Sequence, residues 1–284
     1  MKSIPVDQLQ HKTSAGVQVK VFLSDDKQQN NAQVAHRDDH YIFFLLTKGS
    51  GTVKVDLQNI MVTAGQLYYI LPSQIHYRIK ANQAEGWFLA VDTALIAADF
   101  KAVFEQGQNL QAPCDLTDYE LKQYASLLGV LRNEFIERTD DKYYLPVIHT
   151  LVQSFLAMAA STYDGLEPIA NKHTRSAELA RQFKDLLAVH SHTIKNPSAY
   201  ASKLNVSSGY LNEAIKKVTG STVSYWIQQE IFSEAKRLLY HTNADIKQIA
   251  QELGYMDYSY FSRSFRKVSG LSPLQFRALK RKSS

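Results

Sequence analysis

Glu234 to Arg281 reads EAKRLLYHTNADIKQIAQELGYMDYSYFSRSFRKVSGLSPLQFRALKR, and the spacing of its apolar residues decides the architecture of the C-terminal half. Ile246, Ile249, Ala250 and Leu253 fall at i, i+3, i+4 and i+7, the buried stripe of a short helix. Gly254 follows, and glycine tolerates the left-handed backbone that ends a helix and turns the chain sharply. Asp257 stands where a side-chain oxygen can cap the N–H groups of a second helix, expected from Tyr258 to Val268. On that helix Phe261, Phe265 and Val268 share one face, whereas Ser259, Ser262, Arg263 and Arg266 share the other. An apolar face for packing and an outer face of hydroxyls and guanidinium groups is the layout of a helix-turn-helix whose second helix enters the major groove. Taken alone, such a helix is equally well read as a solvated surface helix.

The upstream sequence breaks that tie. Ala201 to Gly220, ASKLNVSSGYLNEAIKKVTG, repeats the pattern of Ala250 to Gly270, AQELGYMDYSYFSRSFRKVSG, with one extra residue in the second turn. Ala201 and Leu204 match Ala250 and Leu253, and Tyr210, Leu211, Ile215, Lys216, Lys217, Val218 and Gly220 match Tyr260, Phe261, Phe265, Arg266, Lys267, Val268 and Gly270. Two copies argue for duplication. Between them Thr222 to Tyr240 lacks Gly and Pro, and as a helix at about 1.5 Å per residue it would span roughly 28 Å, close to one turn of DNA.

Charge follows the same division. Residues 1–170 carry 14 Lys+Arg against 19 Asp+Glu, a net −5, and residues 171–284 carry 18 against 8, a net +10. The acidic half is thereby excluded as the phosphate binder, and the basic half should bind DNA with a steep salt dependence.

The C-terminal part of the chain resembles the DNA-binding region of the AraC/XylS family of bacterial transcription regulators. EAKRLL (Glu234 to Leu239), IAQELGY (Ile249 to Tyr255), SYFSRSFRK (Ser259 to Lys267) and GLSPLQFR (Gly270 to Arg277) carry the resemblance, in order and at close spacing. The first copy departs from the pattern at Ile215, where the family commonly has Phe, and it places acidic Glu213 where the second has Arg263. On this reading Tyr210, Asn212, Glu213, Ser259, Ser262 and Arg263 face bases. Ser207, Ser208, Lys216, Lys217, Tyr258, Arg266 and Lys267 hold phosphates.

Residues from about 17 to 92 read as short strands and tight turns, a pattern of small barrels and sandwiches. Thr52 to Leu57 alternates in period two, Gln58-Asn59 is expected as a hairpin turn, and Leu67 to Leu71 is a short apolar run. His36 to Asp56 with Gly65 to Ile79 resembles the cupin-type sensor half of the same family, through a Gly-turn between strands and a Gly…Pro…His run. A small barrel encloses one ligand among inward side chains, and the expected pocket is His36, His40, Tyr41, Phe43, Tyr68, His76 and Trp87. His36, Asp38 and His40 share a face of an extended segment, with His76 in the neighbouring motif, a donor set that suits a first-row metal. The metal motif of cupin enzymes has two His two residues apart and a later Glu, which this chain lacks, so the sequence assigns no metal and no cofactor. His36 to His40 then reads as a hydrogen-bonded entry loop, and the aromatics as mostly core.

Leu121, Tyr124, Leu128, Leu131 and Phe135, then Ile148, Leu151, Val152, Phe155 and Ala159, describe two helices that either pack on the barrel or dimerise. Asp164 to Thr174 reads as a linker. The expected organisation is a multidomain chain. Residues 1–110 form an all-β cupin-like sensor barrel, 111–163 a helical hairpin, 164–174 a linker, and 175–284 an all-α DNA-binding domain with motifs at about 198–218 and 246–268. The N-terminus MKSIPVDQLQ has no apolar stretch of the secretory kind, no run approaches the length of a membrane span, and the single Cys114 reads as a packing residue, which together point to the cytoplasm. No nucleophile–base pair, phosphate loop or paired carboxylates are legible, which favours a regulator over a metal-dependent cupin enzyme with a DNA-binding appendage. The expected partners are double-stranded promoter DNA and a small-molecule effector, with RNA polymerase and a second copy of the chain as further candidates.

Overall fold

The computed structural model describes residues 5–23, 34–55, 58–106, 112–137, 141–164, 175–219 and 221–281, which divide into two compact units, 1–169 and 170–282.

The strands of the first unit are β1 (Val6–Asp7), β2 (Val17–Phe22), β3 (Arg37–Asp38), β4 (His40–Val55), β5 (Gln58–Thr63), β6 (Gln66–Ile70), β7 (His76–Asp92) and β8 (Cys114–Asp115). The main sheet runs β2-β7-β4-β6-β8, with β5 pairing the far half of β4, and β1 pairs β3 separately. β4 and β7 are antiparallel along nearly their whole length, from His40 opposite Asp92 to Val55 opposite His76. The Gly-turn expected inside His36 to Asp56 is therefore absent. Gly49 instead sits at φ 68 among register shifts of one continuous strand, where a Cβ would fall 2.1 Å from the Gln83 carbonyl oxygen. Glycine is required there for a bulge and a close backbone approach. Gln58 and Asn59 likewise lie within β5, opposite Val55 and Lys54, and not in a turn. Residues 56 and 57, which connect the two strands, lie outside the described residues.

Alternation gives the sheet two apolar faces. Tyr41, Phe43, Leu45, Leu67, Tyr69, Leu71, Leu89 and Val91 pack with Val17 and Val19 into one cluster shared with helices. Ile42, Leu46, Val55, Val62, Tyr68, Ile70 and Ala84 form the other, with Phe44, Val53, Ile60 and Phe88 half-buried beside them. The helices on the first face are α1 (Ala98–Gln106), α2 (Asp118–Glu137) and α3 (Tyr144–Asp164). Tyr124, Leu128 and Leu131 of α2 and Ile148, Val152, Phe155 and Ala159 of α3 are buried in that cluster, so both predicted stripes are used against the sheet. Phe43 lies 5.4 Å from the Phe104 ring and 5.3 Å from that of Phe155. Tyr69 donates to the Phe104 carbonyl and Tyr163 to the Leu67 carbonyl, both at 2.8 Å, fixing α1 and α3 to the strands. Cys114 is buried in the same core. Among the described residues α3 alone is long and apolar enough to cross a membrane, and its apolar side is the face packed on the sheet.

The second unit contains α4 (Arg175–His190), α5 (Pro197–Lys203), α6 (Ser208–Thr219), α7 (Val223–His241), α8 (Ile246–Glu252), α9 (Tyr258–Ser269) and α10 (Pro273–Arg281). α7 is the connecting helix that the sequence predicts, 19 residues long, with Thr222 capping it by accepting from the Tyr225 N–H at 3.2 Å. Its buried Val223, Ile227, Ile231, Phe232, Ala235, Leu238 and Leu239 belong to one cluster with Leu211 and Ile215 of the first motif and Ile249, Leu253, Phe261 and Phe265 of the second. Trp226 Nε1 donates to Thr219 Oγ1 at 2.8 Å, which anchors the start of α7 to the end of α6. Of the predicted linker, residues 165–174 lie outside the described residues.

Candidate functional site

The two helix-turn-helix copies are built alike. α5 and α8 each end at a leucine, Leu204 and Leu253, followed by a residue in left-handed conformation, Asn205 at φ 54 and Gly254 at φ 72. Three residues separate Leu204 from α6 and four separate Leu253 from α9, the extra residue being the one predicted. Asp245 caps α8 through a reciprocal pair with Gln248, and Asp257 caps α9 by accepting from the Ser259 N–H at 2.7 Å. Ser207 Oγ accepts from the Tyr210 N–H at 3.2 Å, so its hydroxyl serves as the cap of α6.

Capping and burial fix the rotation of each second helix. Phe261, Phe265 and Ser269 are buried on α9, and Leu211, Ala214, Ile215 and Thr219 on α6. Tyr258, Tyr260, Arg263, Arg266 and Lys267 are exposed, as are Ser208, Tyr210, Glu213, Lys216 and Lys217. At 100° per residue the centre of the outward face of α9 falls on Arg263, and that of α6 on Glu213. Ser259 and Ser262 are half-buried, Ser262 nearer the packed face. Among the described residues no ion pair engages Arg263, Arg266, Lys267, Lys216 or Lys217.

Two placements differ from expectation. Asn212 turns inward, its Oδ1 accepting from the Val223 N–H at 3.2 Å, because the first N–H of α7 has no partner within its own helix. Its side-chain oxygen is therefore engaged at the start of α7, beside the Thr222 cap. Tyr260, omitted from the predicted base-facing residues, is 58% exposed beside Arg263 and occupies the place of Tyr210. The repeat alignment already paired the two tyrosines and is the signal that could have found it.

In the first unit strand parity splits the predicted pocket. Tyr41, Phe43 and Trp87 belong to the helix-packed face, with a Cβ at Gly129 of α2 falling 4.0 Å from the Trp87 ring. They pack the core and line no cavity on the other side. Tyr68 does lie on the opposite face, abreast of Phe44, which in turn is opposite Phe88 with the rings 5.6 Å apart. Phe44 and Phe88 are half-buried on that face, and the sequence reading did not include them. Period-two counting from Tyr68 across the ladder would have selected them.

The predicted histidines do converge. His36 and His76 form an antiparallel bridge, each N–H donating to the other's carbonyl at 3.2 and 2.9 Å, with ring centroids 4.4 Å apart. Asp38 Oδ2 lies 3.0 Å from His76 Nε2 and 4.0 Å from His36 Nε2, and Asp38 Oδ1 lies 3.9 Å from His40 Nε2. Asp38, His40 and His76 are buried. Burial alone would raise the Asp38 carboxyl, but the contact with His76 and the positive charge available on His40, His76 and His36 outweigh it and hold the group below its ordinary value.

Comparison with known proteins places both halves. Residues 19–92 match the AraC-like ligand binding domain and residues 200–279 a helix-turn-helix domain. The arabinose operon regulatory protein of Escherichia coli (strain K12) is 25% identical over 251 residues, covering 84% of this chain and 80% of that protein. The transcriptional activator RhaR of Escherichia coli O1:K1 / APEC is 22% identical over 269 residues, covering 89% and 90%. The structure of ToxT from Vibrio cholerae O395 covers 93% of this chain and 98% of its own at 12% identity, with a TM-score of 0.40. A ligand-binding half followed by a doubled helix-turn-helix half, matched in that order, assigns the chain to the AraC/XylS family of transcription regulators.

Proposed function

We propose that the chain binds two successive major-groove segments of a promoter through α6 and α9, and that a small molecule bound against the Phe44, Tyr68 and Phe88 face of the sheet alters that engagement. The observation that carries the reading is the matched outward faces of α6 and α9, set on one core and joined by the single helix α7. Arg263, with its planar fork, grips guanine O6 and N7, and Tyr260 and Ser259 flank it. Glu213, at the corresponding point of α6, accepts from a cytosine amino group, which gives the two half-sites different sequences. Ser207, Ser208, Lys216, Lys217, Tyr258, Arg266 and Lys267 meet phosphates at the groove walls, and Ser262 lies at the edge of the contact. The regulatory reading includes no catalytic step. RNA polymerase and a second copy of the chain are proposed partners; a dimer would have to use the outer faces of α2 and α3, since their apolar stripes are buried.

The test is selection of binding sites from randomised DNA by the full chain and two variants. Arg263→Ala should cost about 1–3 kcal/mol on the selected site and relax preference at one base position. Lys267→Ala should weaken all sequences alike and lower the salt slope by about one. Unchanged base preference in Arg263→Ala would remove its assigned role.

A further inference from the structure

We infer that His36, Asp38 and His76 form a binding site for a first-row divalent transition metal. The backbone prearranges the donors. His36 and His76 are directly opposite in a hydrogen-bonded antiparallel pair, which sets their side chains on one side, and Asp38 follows His36 by two residues and so faces the same way.

The outer nitrogens of both rings are already engaged. His36 Nδ1 lies 2.8 Å from the Val34 carbonyl oxygen and His76 Nδ1 3.1 Å from that of Gln74. A carbonyl only accepts, so each Nδ1 carries the hydrogen, and a ring that gives up its other proton offers its Nε2 lone pair inward as a metal ligand. Those two lone pairs converge on one carboxylate oxygen, at 3.0 Å from His76 and 4.0 Å from His36. Three acceptors facing one another repel unless a cation lies among them. A proton on one ring satisfies one pair, whereas a metal ion satisfies all three. A tetrahedral ion with bonds of about 2.0–2.2 Å separates its ligand atoms by about 3.3–3.6 Å, and the observed distances straddle that range. Anchoring each ligating imidazole by a hydrogen bond from its other nitrogen to a carbonyl is the usual outer support of such sites.

The donor chemistry selects the ion. Two imidazoles and one carboxylate suit zinc, cobalt or nickel, while calcium and magnesium take oxygen ligands. Three protein ligands leave a coordination position open. His40 is a positioning residue: its Nδ1 is 3.0 Å from Asp39 Oδ1, and its Nε2 faces the other oxygen of Asp38 at 3.9 Å. Metal binding here is independent of whether the C-terminal unit reads a promoter.

The experiment strips the full chain with chelator and titrates it with cobalt(II) and zinc(II), reading stoichiometry by elemental analysis and geometry by the visible absorption of cobalt. The expected result is one ion per chain, a cobalt spectrum of low coordination number, and displacement of cobalt by zinc. His76→Ala and Asp38→Asn should each weaken binding by about 100-fold or more, with circular dichroism establishing that the chain is folded. Asp38→Asn keeps the shape of the carboxyl and so decides the matter if His76→Ala does not fold. His192→Ala, in the other unit, should leave binding unchanged. Absence of binding at micromolar metal, or binding that survives Asp38→Asn, overturns the assignment.

Discussion

Gly254→Ala should destabilise the second helix-turn-helix more than any other single methyl placed in either turn. The residue sits at φ 72, where an added Cβ would lie 2.4 Å from the His192 carbonyl oxygen and 2.7 Å from Lys195 Nζ. The lysine head can swing aside, but it also donates to the Gly254 carbonyl and lies 4.2 Å above the Tyr255 ring, so moving it loses both contacts. The carbonyl belongs to the backbone and cannot move without shifting the connection between α4 and α5. Left-handed strain of about 1–2 kcal/mol, added to a forced displacement of similar size, gives a loss of about 2–4 kcal/mol. The first motif supplies the control, since Asn205 holds the equivalent place at φ 54 with a side chain already present. Asn205→Gly should change stability by less than about 1 kcal/mol. Urea unfolding of the full chain, following the transition reported by Trp226, measures both. A Gly254→Ala chain as stable as the parent, or an equal loss in Asn205→Gly, would refute the reasoning.

Asn212→Ala should cost about 1 kcal/mol by leaving the Val223 N–H at the start of α7 without its partner, the Thr222 cap remaining, and leave the selected DNA sequence unaltered, as site selection and urea unfolding together would show. Burial pushes Tyr200 and Tyr255 up to about 12, so the protonated forms stabilise the fold fully below pH 10 and that contribution drains away as pH rises from 10 through 12. Absorbance titration of tyrosinate against circular dichroism should find the late-titrating tyrosines ionising together with unfolding, and early ionisation without unfolding would contradict it. A small molecule retained on the Phe44–Phe88 face should raise the melting temperature of the first unit's transition in the full chain, and Phe88→Ala should abolish the shift.

The C-terminal unit was readable because its signals are local: stripes at i, i+3, i+4 and i+7, a glycine stop, an Asp cap, and a second copy against which to check the phase. Of the two placements it did not anticipate, Tyr260 was already paired with Tyr210 in the repeat, whereas Asn212 makes a contact eleven residues away with the start of α7, which helix periodicity does not encode. The sensor sheet was less legible. Gly49 and Gly51 look like a turn because glycine marks both turns and bulges, and only pairing with β7 through the whole of β4 distinguishes them. The pocket aromatics were chosen without fixing which parity faces the helices, so the sequence could not separate Tyr41, Phe43 and Trp87, which pack against the helices, from Tyr68 on the other apolar face. Convergence of His36 and Asp38 with His76 required a bridge across forty residues, which the spacing suggested but did not determine.

On the proposed function, α6 and α9 read two major-groove segments from one side of DNA. Hydroxyl-radical footprinting of the full chain on its selected site tests it most directly, repeated across a series of salt concentrations. The expected result is two protected segments about one helical turn apart, with log affinity falling by about 0.9 per neutralised phosphate against log salt. A single protected segment, or affinity indifferent to salt, would contradict it.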